Sequence, residues 1–156
     1  MSSYERSGWR DEEISRRHRL WGGDCPAVDI DFPLAEFHLG LPVALIEYKH
    51  FRAKVPDLRH ATYRALRALA DKYNNGNDAN YNEGPLPFLV VFYRPDVWAY
   101  RVIPVNDAAR LYFADPYEVV TELEYVKRIY DMRSLVLSKG LMRRLNTTLP
   151  EDWDAS

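Results

Sequence analysis

The segment Val43–Lys49, VALIEYK, constrains the fold of this chain more than any other. Its apolar run suits a buried member of a sheet, yet it ends in Glu47-Tyr48-Lys49. Buried glutamate and lysine must be paired or liganded, so a sheet that takes in this strand must also accommodate its charged end. Side chains two apart in a strand share a face, so Glu47 and Lys49 point one way and Tyr48 the other. Upstream, Ala27–Phe37 reads as a first strand, joined to the second by a turn at Leu39-Gly40-Leu41-Pro42. Asp29 and Asp31 share one of its faces, opposite Val28, Ile30 and Phe32. Pro33 within it marks an edge position, a bulge or a break. If the hairpin pairs with these faces matched, two carboxylates and an ammonium meet at one end of a sheet, an arrangement suited to a metal ion and water.

The flanking segments supply the rest of the architecture. Arg10–Leu20 reads as a short helix with Asp11, Glu12 and Glu13 at its start and Arg16, Arg17, His18 and Arg19 at its end, as the helix dipole favours; Gly22-Gly23 stops it. Asp57 is the expected N-cap of a helix over Leu58–Tyr73. There Leu58, Ala61, Thr62, Ala65, Leu66, Leu69 and Tyr73 keep a helical period as the inward face. His60, Tyr63, Arg64 and Arg67 line an adjacent face. Asn74–Pro87 is a polar loop, Phe88–Tyr93 a central strand, and Val97–Val105 a strand in which Trp98, Tyr100 and Val102 alternate. Asn106–Phe113 reads as a short irregular helix. Thr121-Glu122-Leu123-Glu124 has the form of a capping box, opening a helix to about Arg133 with Leu123, Val126, Ile129 and Tyr130 inward. Residues 134–156 form a C-terminal extension. The fold class is α/β (α+β): a mixed central sheet flanked by helices, in one domain over residues 1–156.

Composition narrows the function. At 156 residues and 47% hydrophobic, the chain is long enough for a sizeable core. The start lacks the pattern of a signal peptide, and the apolar run at Leu86–Tyr93 is too short to span a bilayer, so no membrane partner is expected. The single Cys25 rules out an internal disulfide and fits a cytoplasmic location. A net charge of −2 gives no overall nucleic-acid signature. The charge is nonetheless segregated: Lys49–Lys72 holds seven bases against two acids, and Tyr73–Tyr125 three against eight. Such segregation can place a basic face on a near-neutral protein. His18, His38, His50 and His60 lack the spacing of a zinc site. Nucleophile-elbow, Walker A and dinucleotide-binding motifs are absent.

With Asp29 and Asp31 on one hairpin strand, Glu47-x-Lys49 on the next, and a helix before and after, the stretch from about Arg10 to Val105 resembles the PD-(D/E)XK, or restriction-endonuclease-like, nuclease superfamily. The core of that family runs helix, three-stranded stretch, helix, strand. Neither aspartate here follows a proline, which leaves Asp29 and Asp31 both eligible as the family aspartate; Asp31 gives the more compact hairpin. The resemblance implies a Mg²⁺-dependent deoxyribonuclease, with Mn²⁺ as an alternative ion. Asp31, Glu47 and Lys49 would be its catalytic set. Asp29 or Asp31, Glu47 and the backbone carbonyl of Tyr48 would hold the metal, with Glu13 in indirect support. Lys49 would orient or help deprotonate the attacking water. Tyr63 or Arg64 would contact phosphate, and Arg16, Arg17, Arg19, Arg59, His60, Arg64 and Arg67 would meet the DNA. Some relatives carry Gln and Tyr four apart on the second helix; here Arg59 precedes Tyr63, so only the Tyr half matches. A homodimer is the natural arrangement for cutting two strands. The other reading is an inactive module of the same fold that binds nucleic acid or a protein partner.

Overall fold

The computed structural model describes residues 17, 20, 32–36, 41–73 and 84–154. Among the described residues, five strands form one mixed sheet in the order of the sequence: β1 (Phe32–Glu36), β2 (Leu41–His50), β3 (Phe88–Arg94), β4 (Ala99–Pro104) and β5 (Val119–Val120). β2 and β3 are parallel; all other neighbours are antiparallel. The parallel pair needs a crossover, and helix α1 (Ala61–Lys72) lies within it. Three further helices follow: α2 (Asp107–Arg110), α3 (Glu122–Met132) and α4 (Lys139–Met142). The expected α+β class with a helix-flanked mixed sheet is therefore present. Among the described residues no helix is long and apolar enough to cross a membrane.

β3 occupies the middle of the sheet and is buried on both faces, as its unbroken apolar sequence dictates. Phe88, Val90 and Phe92 face one cluster with Leu45, Tyr63, Leu66 and Ala70. Leu89 and Val91 face the other with Ala44, Ile46, Tyr100, Val102 and Tyr125. α1 thus covers one face and α3 the opposite face. Asn106, fully buried, joins three elements. Its Oδ1 accepts from the backbone N–H of Phe88 (3.0 Å) and, as the cap of α2, of Ala109 (3.1 Å). Its amide donates to Leu86 O (2.7 Å) and to the Asp71 carboxylate (3.0 Å) near the end of α1.

Several expectations shift in detail. Of the expected strand Ala27–Phe37, β1 covers the described residues Phe32–Glu36, the remainder lying outside the described residues, and its register slips between Leu34 and Ala35, one residue beyond Pro33. Leu41 and Pro42 belong to β2 rather than to the turn. α1 is capped by His60, whose Nδ1 accepts from Thr62 N (3.2 Å), not by Asp57. The Asp57 carboxylate instead accepts from the backbone and side chain of Arg59 (3.0 and 3.1 Å). The Thr121 cap forms as expected, its Oγ1 accepting from Glu124 N (3.1 Å). Glu124, however, does not complete a capping box: its carboxylate takes Arg128 Nε at 3.1 Å. Trp98 sits in the turn before β4 with φ 49°, so it does not continue the Tyr100/Val102 alternation. The inward helix faces are met in part: Leu58, Leu66 and Tyr73, and on α3 Val126 and Ile129, pack against the core as expected, but tyrosines join them. Tyr63, Leu66 and Ala70 are the buried residues of α1, and Tyr125 and Met132 those of α3. Leu69, expected inward, is exposed.

The C-terminal segment is knitted into the sheet. Asn146 accepts from Leu123 N with its carbonyl (3.1 Å) and donates its own N–H to Glu122 (2.8 Å) at the start of α3. The Arg94 guanidinium, buried, donates to the carbonyls of Asp152 (2.6 Å) and Trp153 (2.8 Å).

Candidate active site

Strand alternation splits the Glu47-Tyr48-Lys49 tripeptide between the two faces of β2. Glu47 and Lys49 are on the α1 face, beside Val90 and Phe92 of β3. Tyr48 is on the α3 face. There its hydroxyl shares a 2.6 Å hydrogen bond with that of Tyr125. Tyr125 in turn stacks on Tyr100 with ring centroids 4.3 Å apart. Burial raises the pKa of all three phenols, that of Tyr100 to about 12. For Tyr48 the bond to Tyr125 works in the opposite direction and only partly offsets the burial. Three neutral, packed phenols hold this end of β2 in place.

The opposite face is less complete. Lys49 Nζ lies 3.4 Å from Glu47 Oε1, with the two side chains 26% and 23% exposed. That separation is longer than the 2.7–2.9 Å typical of a charge-assisted hydrogen bond. The second oxygen, Glu47 Oε2, is buried and has no hydrogen-bond partner among the described residues. An unsatisfied buried acceptor costs on the order of 1–3 kcal/mol, more if charged, and such groups in native proteins call for an explanation. A carboxylate with free lone pairs on a desolvated oxygen, beside one cation, fits a hard divalent ion with oxygen ligands. Among the described residues no group of three or more His, Cys, Asp or Glu side chains converges. Asp29, Asp31, Glu13, Arg16 and Arg19 lie outside the described residues.

Other expected contacts can be located. Arg17 is helical and exposed. Arg59, His60, Arg64 and Arg67 are all exposed, but Arg59 is paired with Asp57 (3.1 Å) and Arg67 with Asp71 (3.6 Å). Tyr63 does not share their surface. It is buried, with its ring stacked on Phe88 at 6.4 Å, because the apolar face of the sheet offers its ring more contact than solvent does. A side chain in that position is a core residue rather than part of an exposed phosphate-binding face.

The sequence reading missed a cleft on the same face. In register, Lys49 neighbours Phe92 and Phe92 neighbours Arg101, making one row across three strands. Beside that row is a cleft of about 390 Å³ lined by Phe51, Arg52, Val55, Phe92, Arg101 and Trp153, among others. Its residues come from the loop after β2, from β3 and β4, and from the C-terminal segment. No protein-family model matches this chain, and neither a curated protein nor a solved structure shows significant similarity to it.

Proposed function

We propose that this protein is a Mg²⁺-dependent nuclease that hydrolyses phosphodiester bonds in DNA at the Glu47/Lys49 end of β2. The observation that carries the reading is the buried Oε2 of Glu47, without a hydrogen-bond partner among the described residues, beside the ammonium of Lys49. An oxygen in that state suits a cation, and the charged pair ends a strand that leads through α1 into a parallel neighbour, the strand–helix–strand order of the PD-(D/E)XK core. Asp31, which directly precedes β1 in the sequence, would be the second carboxylate, with Asp29 as its alternative.

Mg²⁺, or Mn²⁺ in its stead, would supply Lewis acidity and lower the pKa of a coordinated water. Glu47 and Asp31 would bind it through carboxylate oxygens, with the Tyr48 carbonyl as a further oxygen. The chain's own contribution is then positional and electrostatic. Glu47 holds Lys49 in place, and the Lys49 ammonium orients the attacking water and offsets negative charge as the phosphate is attacked. Arg64, exposed on α1, is the base available for the DNA backbone. Cleavage of both strands of a duplex would be the work of a homodimer.

The test is cleavage of single-stranded, duplex and branched DNA with Mg²⁺, Mn²⁺ or EDTA. Wild-type protein cuts only with metal, Glu47→Gln reduces cutting to background, and Lys49→Ala lowers the rate by about 10²–10³-fold. Undiminished cutting by both variants refutes the assignment. No cutting of any substrate, together with salt-sensitive DNA binding, favours the binding module instead.

A further inference from the structure

The end of the sheet that carries Lys49 is rimmed by aromatic rings. Trp98 stacks on Tyr93 (6.3 Å between centroids), and Tyr93 meets His50 edge-on (5.6 Å). His50 abuts Phe51 (4.8 Å), and Phe51 meets Trp153 edge-on (5.8 Å). On the α1 face this rim opens into the 390 Å³ cleft. That volume is near the lower end of the roughly 300–1,000 Å³ span of ligand pockets, suiting one nucleotide better than a larger ligand. Its walls combine three chemistries. Trp153, only partly buried, offers ring surface, while Phe51, its edge-on neighbour, carries the guanidinium groups of Arg52 (5.3 Å) and Arg94 (4.9 Å) over its ring. Arg52 is exposed, and Arg101 is held in place by donation from Nε to Pro116 O (2.9 Å) and by the Tyr117 ring. Asp154 adds an acceptor. Rings that stack any base, guanidinium groups for phosphate, and a carboxylate able to accept from a base amino group are together the means by which proteins hold unpaired nucleotides.

We propose that this cleft holds an unpaired base of single-stranded DNA against Trp153, with the flanking phosphates on Arg52 and Arg101. The Lys49–Phe92–Arg101 row places the cleft directly beside the candidate active site. The inference therefore rests on the nuclease reading for its biological use and specifies the substrate: DNA with a single-stranded segment next to the bond that is cut. A base within a continuous duplex is stacked and paired, and cannot enter without being extruded.

The test uses a short fluorescein-labelled single strand of mixed sequence and the matching duplex, bound by the full-length protein in EDTA and followed by fluorescence anisotropy. The single strand binds more tightly than the duplex. Trp153→Ala weakens single-strand binding about tenfold, Trp153→Phe retains most of it, and Arg52→Ala flattens the dependence of affinity on salt by about one phosphate contact. Trp153 also packs against the core, so the exposed Arg52 provides an arm that does not depend on how the fold tolerates Trp153→Ala. Equal affinity of wild type and both alanine variants, a preference for duplex, or no binding overturns the proposal. Glu47→Gln separates the two readings, because it abolishes cutting without weakening binding in EDTA. Metal-dependent cutting that is indifferent to Trp153 and Arg52 leaves the nuclease and removes the cleft. Binding that needs both residues, with no cutting in Mg²⁺, leaves the cleft and removes the nuclease.

Discussion

The two faces of β2 hold polar groups only one residue apart and treat them differently. On the α3 face, Tyr48 enters a packed cluster in which its hydroxyl meets that of Tyr125 at 2.6 Å. On the α1 face, Glu47 has one oxygen 3.4 Å from Lys49 and the other buried without a partner among the described residues. A fold that can satisfy a phenol on one side of a strand has the means to satisfy a carboxylate on the other. On the proposed reading, that difference is stability given up on the α1 face in exchange for metal binding. The α3 face fixes the strand, and the α1 face presents what the strand carries.

The largest effect that would break this contrast is chemical: cutting by Glu47→Gln at the wild-type rate would make the free carboxylate oxygen irrelevant. Next is the response of stability to metal. A ligand bound only by the folded state stabilises by about 2.7 kcal/mol at a hundredfold its Kd. In a chain of this size that corresponds to a rise in Tm of roughly 5–10 °C. Wild-type protein in saturating Mg²⁺ should show this rise by differential scanning fluorimetry, and Glu47→Gln should not. A rise that survives in Glu47→Gln would locate the metal elsewhere.

What could be read from the sequence follows the same division. The strands β2 and β3 are legible because an uninterrupted apolar run has little choice but a buried strand, and the period of two then assigns Glu47 and Lys49 to one face without further information. The helix faces are less legible. On both α1 and α3 a tyrosine, Tyr63 or Tyr125, is buried in preference to aliphatic neighbours such as Leu69 or Val126. A tyrosine carries a large apolar ring and a single polar tip, so its direction depends on whether the opposing sheet offers a ring-sized site, Phe88 in one case and Tyr100 in the other. That information lies in a different part of the chain. β5, two residues long, has too little sequence to leave a pattern. The cleft joins positions 51–55, 92, 101 and 153–154, and only the tertiary fold brings those together. The segment from Ser134 onward reads as an amphipathic extension because its partners, Arg94 and the start of α3, are tens of residues away.

A smaller effect tests the satisfied side. Tyr48→Phe leaves the hydroxyl of Tyr125, itself buried, without its partner, at a cost of about 1–3 kcal/mol. Adding Tyr125→Phe removes the stranded group and recovers part of the loss, so urea melts of the two single variants and the double variant should show positive coupling. Simple additivity would mean that the 2.6 Å contact contributes nothing to holding β2.

The last effect is absent at neutral pH and appears only in alkali. Burial raises the pKa of Tyr48, Tyr100 and Tyr125 above the ordinary phenol value of 10, that of Tyr100 to about 12. Above pH 10 the unfolded chain therefore releases phenolic protons that the folded chain retains, and stability falls as pH rises wherever the unfolded state binds fewer protons. The contribution is intact below pH 10 and declines from there toward 12 and beyond. The part of the tyrosinate absorbance lost in a Tyr48→Phe/Tyr100→Phe/Tyr125→Phe variant should rise together with the loss of folded structure in that window, rather than ahead of it, because the α3 face ionises only when it opens. Tyr125→Phe should reduce the steepness of the decline by removing one of the three phenols. Ionisation of all tyrosines near pH 10 with the fold intact would mean that the α3 face is open to solvent. The contrast between the two faces of β2 would then disappear.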